Sequence, residues 1–477
     1  MDLHDALTDE AERCEFSGVA SVRVGGSDPL VIERGLANRE SGIPIGRATP
    51  FGIASGTKGI TALTVASLVE DGALTWATRI RDLVEGLDNV DPAVTIEQLA
   101  RHVSGVGDYL DEELQTDIDE PVLTVPAESL MVATDYFAMV AEPVHREPPG
   151  TVFRYNNGGY IMLSIAVEVL TGKPFHEAAQ EHVLDPAGMK DSVFHVANAL
   201  PSDVALGYLA DGTTNFGLLP YRGAGDGGMY TTVDDVQRLW DGLARGSIVD
   251  QATFASMSTP VGPQGQNGYG LGFWLSGHVV TLEGIDPGVS FYTSFEPATA
   301  RSLVIISNTS SGAWPMARAF DAAIADTPAL RLAVAADERA VVECVRGAYA
   351  QYVPLMDREP APMLDDYAEL IERGLVTVAV TDDELVGLIV MWPRDDHFYV
   401  DNVAVDVAHQ GEGVGSMLLG VANVAARRTG HDRIRLYTNE VMEQNITYYP
   451  RRGFVETNRI VENGYNRIYF EREVAPS

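Results

Sequence analysis

At Asp326-Thr327-Pro328 the pattern of the chain starts over, and that reset constrains its fold more than any other feature. Upstream, apolar strand-like runs alternate with helical stretches and close in a strand pattern over 302–307 and a helix-like stretch over 317–325. Downstream, a new strand begins at 330–334, and 337–352 reads as an amphipathic helix. A chain of 477 residues is also longer than one hydrophobic core ordinarily supports. The expectation is two domains, 1–328 and 329–477.

In the second part, strands over 376–380 and 385–391 flank the acidic turn Asp382-Asp383-Glu384, as in an antiparallel hairpin. A third strand over 398–405, a helix over 411–428 and a strand over 433–438 follow. Apolar content of 45% with 21% charged residues is that of a folded globular protein. The net charge of −35 repels nucleic acid and anionic membranes, so neither is expected as a partner. Two cysteines, Cys14 and Cys344, fall in different halves and provide neither a disulfide framework nor a metal site; no metal is expected. The first ten residues are acidic where a signal peptide is basic and then apolar, and no run reaches the length of a membrane span. The expected location is the cytoplasm.

Ser55-Gly56-Thr57-Lys58 follows a short apolar strand end at Phe51 and Ile53 and opens a helix that stops at Asp71-Gly72. Three residues make about one helical turn, so Ser55 and Lys58 project from one face. A serine hydroxyl becomes a useful nucleophile when a neighbouring base takes its proton, and a desolvated lysine can be that base. A helix start also brings free N–H groups to a developing oxyanion. Lysine is rare here, Lys58, Lys173 and Lys190 being all there are, which gives the spacing weight. About a hundred residues on stands Tyr155-Asn156-Asn157. A tyrosine beside the serine can relay the proton, and the Asn157 amide can hold a substrate carbonyl.

These motifs resemble the serine β-lactamase-like hydrolases: class C β-lactamases, penicillin-binding proteins, esterases and D-amino-acid peptidases. The segment Leu99 to Val106, which contains His102, resembles that family's His-Thr-Ser-Gly-Leu stretch, and Ala224-Gly225-Asp226-Gly227-Gly228 and Tyr269-Gly270-Leu271-Gly272 resemble later landmarks. The resemblance covers most of 10–325. It implies an antiparallel sheet flanked by helices, Ser55 as acylated nucleophile, Lys58 as its base, Tyr155 in proton transfer and Asn157 as a substrate-positioning amide. His102 is expected as a scaffold residue.

One landmark departs from the pattern. Where the family carries Lys-Thr-Gly or His-x-Gly ahead of a Pro-Gly, this chain reads Leu282-Glu283-Gly284 ahead of Pro287-Gly288. The missing cation argues against substrates held by a carboxylate, and so against penicillin-type chemistry. Gly284 suits close approach of strand to substrate, and the Ile285 N–H is the expected partner of the Ser55 N–H in the oxyanion hole. Glu283 is expected to face the pocket and favour neutral or cationic substrates, against the alternative of a solvent-facing glutamate.

Gln410-Gly411-Glu412-Gly413-Val414-Gly415 lies between the strand ending at Val405 and a helix. Glycines at such a turn let N–H groups approach a pyrophosphate, which the helix start then stabilises. A Rossmann dinucleotide site is the competing reading, disfavoured by the antiparallel hairpin upstream. With Asn402-Val403-Ala404-Val405 before it and Asn439, Asn445, Tyr449 and Gly453-Phe454 after it, the region 330–470 resembles the GNAT acetyltransferases. That implies a mixed α/β sheet and acetyl-CoA as co-substrate. Val403 and Val405 would meet the pantetheine arm, Gln410, Gly411, Gly413, Val414 and Gly415 would cradle the pyrophosphate, and Asn445 would contact the cofactor. Tyr449 would protonate the leaving thiolate, with Tyr448 disfavoured for that role by its spacing to Gly453-Phe454. Asp401 is a candidate base.

The expectation is thus a bifunctional enzyme of α/β and α+β class, with a Ser-x-x-Lys amidase, esterase or transacylase fused to an N-acetyltransferase acting on a small amine. Its partners would be small-molecule or peptide substrates. The alternative is an acetyltransferase whose first domain only binds ligand.

Overall fold

The computed structural model describes residues 3–24, 29–110, 117–119, 123, 125–260, 267–324, 328–381, 384–462 and 464–474. Two expected features, the linker residues Asp326-Thr327 and the turn residues Asp382-Asp383, lie outside them. The chain divides into two compact units, one made of Met1–Val22, Pro29–Pro297 and Ser302–Ala323, the other centred on Ile324–Ser477.

The first unit is built on a seven-stranded antiparallel sheet. Its strands are β1 (Gly18–Arg23), β2 (Leu30–Arg34), β3 (Asn267–Tyr269), β4 (Trp274–Ser276), β5 (Val279–Asp286), β6 (Val289–Glu296) and β7 (Arg301–Ser307), in the order β2-β1-β7-β6-β5-β4-β3. The sheet is thus built from both ends of the unit's sequence, with most of the helical residues inserted between β2 and β3. Helix α1 (Thr57–Glu70) is buried on nearly all sides, from Thr57 through Leu68, because it is apolar all round and lies between the sheet and α2 (Asn157–Thr171). Leu282 of β5 packs onto α1 at Gly59, so its truncation to alanine removes core contacts worth about 2–5 kcal/mol. Helix α3 (Val233–Arg245) is capped by the Thr232 side chain and buries Trp240 against Phe295 of β6.

Helix α4 (Ala313–Ile324) begins four residues before the expected 317. Trp314-Pro315 hid that start, but a proline in the first turn has no intrahelical acceptor to forfeit.

The second unit is a seven-stranded mixed sheet of β8 (Ala329–Leu332), β9 (Val376–Thr381), β10 (Glu384–Pro393), β11 (Phe398–Val405), β12 (Arg433–Asn439), β13 (Val455–Glu462) and β14 (Tyr465–Glu473), ordered β8-β9-β10-β11-β12-β14-β13. All neighbours are antiparallel except β11 and β12. Strand alternation sends Val376, Val378 and Leu388 towards α5 (Glu338–Tyr349) and Ala379 and Ile389 towards α6 (Val414–Arg428), giving a core on each face. Helix α6 starts at Val414, three residues later than expected, because Gly411 and Gly413 both hold φ of +91°, outside the helical region. Cys344 is buried in the α5 core, where burial pushes its thiol up to about 12, as befits a structural thiol. No helix among the described residues is long and apolar enough to cross a membrane.

Candidate active sites

Ser55 sits in the single 3₁₀ turn Ala54–Gly56 that leads into α1. Ala54 holds a left-handed φ of +46°, a strain of about 1–2 kcal/mol for a residue with a Cβ. The turn is braced from Met229: its carbonyl accepts the Ile53 N–H and its own N–H reaches the Thr57 hydroxyl. One helical turn on, Lys58 is 1% exposed, and its Nζ lies 2.8 Å from Ser55 Oγ, 2.7 Å from Asn157 Oδ1 and 2.7 Å from the Asp226 carbonyl oxygen. Three acceptors thus fix one amino group. Tyr155 stands over it, with Nζ 4.9 Å from the ring centre, and stacks on Trp274.

Asn157 lines the cavity beside Ser55; its Oδ1 takes Lys58 and its Nδ2 donates to the Leu110 carbonyl. Its helix is anchored there: Asp108 accepts the Asn157 and Gly158 N–H groups at 2.8 and 2.9 Å, and Asn156 caps Gly159. Burial pushes the Asp108 carboxyl up to about 6 against these hydrogen bonds. His102 is a scaffold group. Its Nδ1 accepts the Asn156 N–H, its ring lies among Tyr155, Tyr160 and Tyr269, and burial, with Lys58 nearby, holds it well below the usual imidazole range.

Strand β5 closes the other side. A Cβ on Gly284 would fall 2.3 Å from the Ile53 carbonyl oxygen and 2.8 Å from the Ser55 nitrogen, so only glycine lets the strand lie against the Ser55 turn. Ile285 follows, lining the cavity. Glu283, expected to face the pocket, pairs across the hairpin with Tyr292 on the strand side it shares with Ile285, and is not among the residues lining the cavity at Ser55.

The cavity beside Ser55 has a volume of about 320 Å³ and is walled by tyrosines and aliphatic side chains, Tyr109, Tyr136 and Tyr230 among them. Its charged lining is Glu40, Asp226 and Asp286, and among the described residues no Lys or Arg lines it. Sequence reasoning missed two of these roles. Asp226 belongs to a glycine-rich stretch read only as a landmark, yet its carbonyl holds Lys58 and its carboxylate takes the Tyr109 hydroxyl at 2.5 Å. Asp286 ends the strand that carries the altered motif and has no motif of its own to signal it.

In the second unit the site is a gap in the sheet. Strands β11 and β12 pair only from Phe398 to Val400 against Ile434 to Leu436. Beyond that point they separate, and a narrow cavity of about 30 Å³ opens between Val400–Val403 and Leu436–Asn439. The β10–β11 register shifts at the same level: Val390 pairs with Asn402 and Met391 with Val400, leaving Asp401 as the extra residue of a bulge and turning it into the cavity lining.

A second, larger hollow of about 670 Å³ is lined by Val403, Val405, Gln410, Gly411, Gly413 and Gly415, together with Tyr448. The Val414 side chain, by contrast, is buried in the core, so only its backbone is left for a ligand. Gln410 Nε2 donates to the Val405 carbonyl, which ties the loop to the strand. The positive φ at Gly411 and Gly413 curls the loop as a phosphate cradle requires, so these residues fit a pyrophosphate group. Tyr349, Val403, Asn445 and Tyr449 line both hollows. Burial raises the Tyr449 phenol well above its usual range, so it is held protonated there. Asn445 donates to the Thr438 hydroxyl. No group of three or more His, Cys, Asp or Glu side chains among the described residues is placed to hold a metal ion.

Residues 4–326 match the β-lactamase family model and residues 372–456 the acetyltransferase (GNAT) domain model. The chain belongs to the β-lactamase family, with a GNAT acetyltransferase domain following in the same polypeptide. It is 22% identical over 320 residues to PbpX of Bacillus subtilis, named as a penicillin-binding protein, covering 66% of this chain and 76% of that one. To esterase EstB of Burkholderia gladioli it is 31% identical over 215 residues, 43% of this chain and 53% of the esterase. The crystal structure of a penicillin-binding protein from Bacillus halodurans superposes with a TM-score of 0.63 at 36% identity, covering 66% of this chain and 99% of that one. Both halves are therefore of enzyme families, a serine hydrolase family that includes esterases and the GNAT acetyltransferases.

Proposed function

We propose that the chain is a bifunctional enzyme whose first unit hydrolyses or transfers acyl groups through an acyl-Ser55 intermediate, and whose second acetylates a small amine. The observation that carries the first half is the placement of Lys58 Nζ within hydrogen-bonding distance of Ser55 Oγ and two further acceptors. In its neutral form the amine can donate two N–H bonds, to Asn157 and the Asp226 carbonyl, and offer its lone pair to the Ser55 hydroxyl proton. Ser55 Oγ then bonds to the acyl carbon as Lys58 takes the proton. The carbonyl oxygen becomes an oxyanion facing the N–H groups of Ser55 and Ile285, and on its collapse the leaving amine or alcohol departs with a proton passed through Lys58 and Tyr155. Water or a second nucleophile releases the acyl group by the reverse sequence.

The lining favours neutral or cationic amide and ester substrates. Leu282 replaces the cation that would hold a carboxylate, and Asp226, Asp286 and Glu40 give the cavity negative charge.

In the second unit, the meeting of two hollows at Val403, Asn445 and Tyr449 supports acetyl transfer. Acetyl-CoA would supply the acetyl group from the glycine-lined hollow. Tyr449, kept protonated by its burial, would give its proton to the departing thiolate, and Asp401 would take one from the amine. Because acetyl-CoA is made and used inside cells, the cytoplasm suits both activities.

The experiment is labelling with a fluorophosphonate probe beside an assay of CoA release. Labelling of the wild type that is lost in Ser55→Ala, with CoA release intact in both, is the expected result. An unlabelled wild type that still releases CoA would instead make the first unit a ligand-binding module.

A further inference from the structure

The narrow cavity between β11 and β12 has two charged residues in its lining, Asp401 and Arg467; the others are uncharged. Asp401 reaches it through the bulge in β11, beside Val403, where the two hollows meet. Arg467 reaches it from β14, opposite Asn439 at the end of β12. Its side chain is 14% exposed and lies over the Tyr437 ring at 4.1 Å. A guanidinium has five N–H donors. In Arg467, Nη1 meets Glu462 at 2.7 Å, whereas Nε, shut off from solvent, has no hydrogen-bond partner among the described residues. A buried donor without a partner destabilises the fold, a cost that a ligand acceptor at that point removes.

We infer that the acceptor of the acetyl group is an amino acid or a similar small zwitterion, its amine at Asp401 and its carboxylate at Arg467. This rests on the acetyltransferase reading above. A plain amine would leave the Arg467 Nε donor unmet, since Glu462 is held by Nη1. An acceptor carrying its own carboxylate meets that donor and gives Arg467 a planar, two-oxygen partner, the geometry its fork matches best. The small volume keeps the recognised part to the head group and points the remaining side chain towards the open hollow.

The test uses the full chain with isotopically labelled acetyl-CoA and an equimolar mixture of the common amino acids, their C-terminal amides and the matching amines, with N-acetyl products measured by mass. Calorimetry of acetyl-CoA alone, and of the favoured amino acid in the presence of CoA, accompanies it. The account expects at least one free amino acid to be acetylated about tenfold or more over its amide, the ratio corresponding to one charge-assisted hydrogen bond. In Arg467→Gln that ratio should fall towards one and calorimetric affinity for the amino acid should drop by a similar factor, with Arg467→Lys intermediate. Preference for amides or plain amines, no amino acid acetylated although acetyl-CoA binds, or an unchanged ratio in Arg467→Gln would each overturn the inference. Failure to bind acetyl-CoA at all would remove the acetyltransferase reading and this inference with it.

Discussion

At Ser55 the reacting groups are side chains held by other side chains, whereas in the second unit the groove from Val403 to Gly415 is bounded by strand edges and glycine backbone. The first arrangement fixes one proton-transfer geometry: Lys58 is surrounded by acceptors, Asn157 by Lys58 and Leu110, and Asp108 by the N–H groups of α2. The second leaves space, produced where β11 and β12 stop pairing. A site made of interlocked side chains should be sensitive to chemistry-changing substitutions at single positions. One made of backbone should be sensitive to backbone shape and to the one side chain that must move a proton.

Lys58→Met tests the first half of that comparison with the largest expected effect. It keeps the volume and removes the base, and hydrolysis or probe labelling should slow by roughly 10³-fold while CoA release stays unchanged. Tyr449→Phe should lower the acetyl-transfer kcat by about 10²-fold with calorimetric acetyl-CoA affinity retained, since only the proton is lost. Substituting Gly413→Val forces a β-branched residue to φ of +91°, and acetyl-CoA binding should weaken by about tenfold, seen by calorimetry, as the loop abandons its cradle.

A smaller effect depends on pH. Burial raises the Asp108 carboxyl to about 6, so the folded state holds its proton more tightly than the unfolded state does. The stabilisation is complete below the unfolded value of about 3.9 and is lost as pH rises through about 6. Asp108→Asn should therefore flatten the fall in urea stability between pH 4 and 7 that the wild type shows. The smallest effect is expected at Glu283, which is not among the residues lining the cavity: Glu283→Gln should leave selectivity between cationic and anionic acyl substrates unchanged, whereas Asp286→Asn should shift it.

The proximity of Ser55 and Lys58 was legible in the sequence because the two stand one helical turn apart, where spacing alone fixes which face they share. Likewise Gly411 and Gly413 announced a loop that only glycine can make. The contacts of Asn157 were not legible, since which way an amide is used depends on Asp108 and Leu110, groups brought to it by the fold. At Glu283 the motif alone leaves the side chain's surroundings open, because the cavity is walled by Ile285, Asp286 and residues that the fold brings to them. The position of Asp401 depends on a β-bulge, and that of Arg467 on the pairing of β14 with β12, neither of which leaves a pattern in the local sequence.

Intact-mass spectrometry of the full chain, after incubation with a panel of esters, amides and β-lactams, tests the central claim most directly. The account predicts a covalent acyl adduct on Ser55 from neutral or cationic esters and amides, absent in Ser55→Ala and strongly slowed in Lys58→Met. An adduct formed equally by Lys58→Met, or no adduct from any member of the panel, would contradict it.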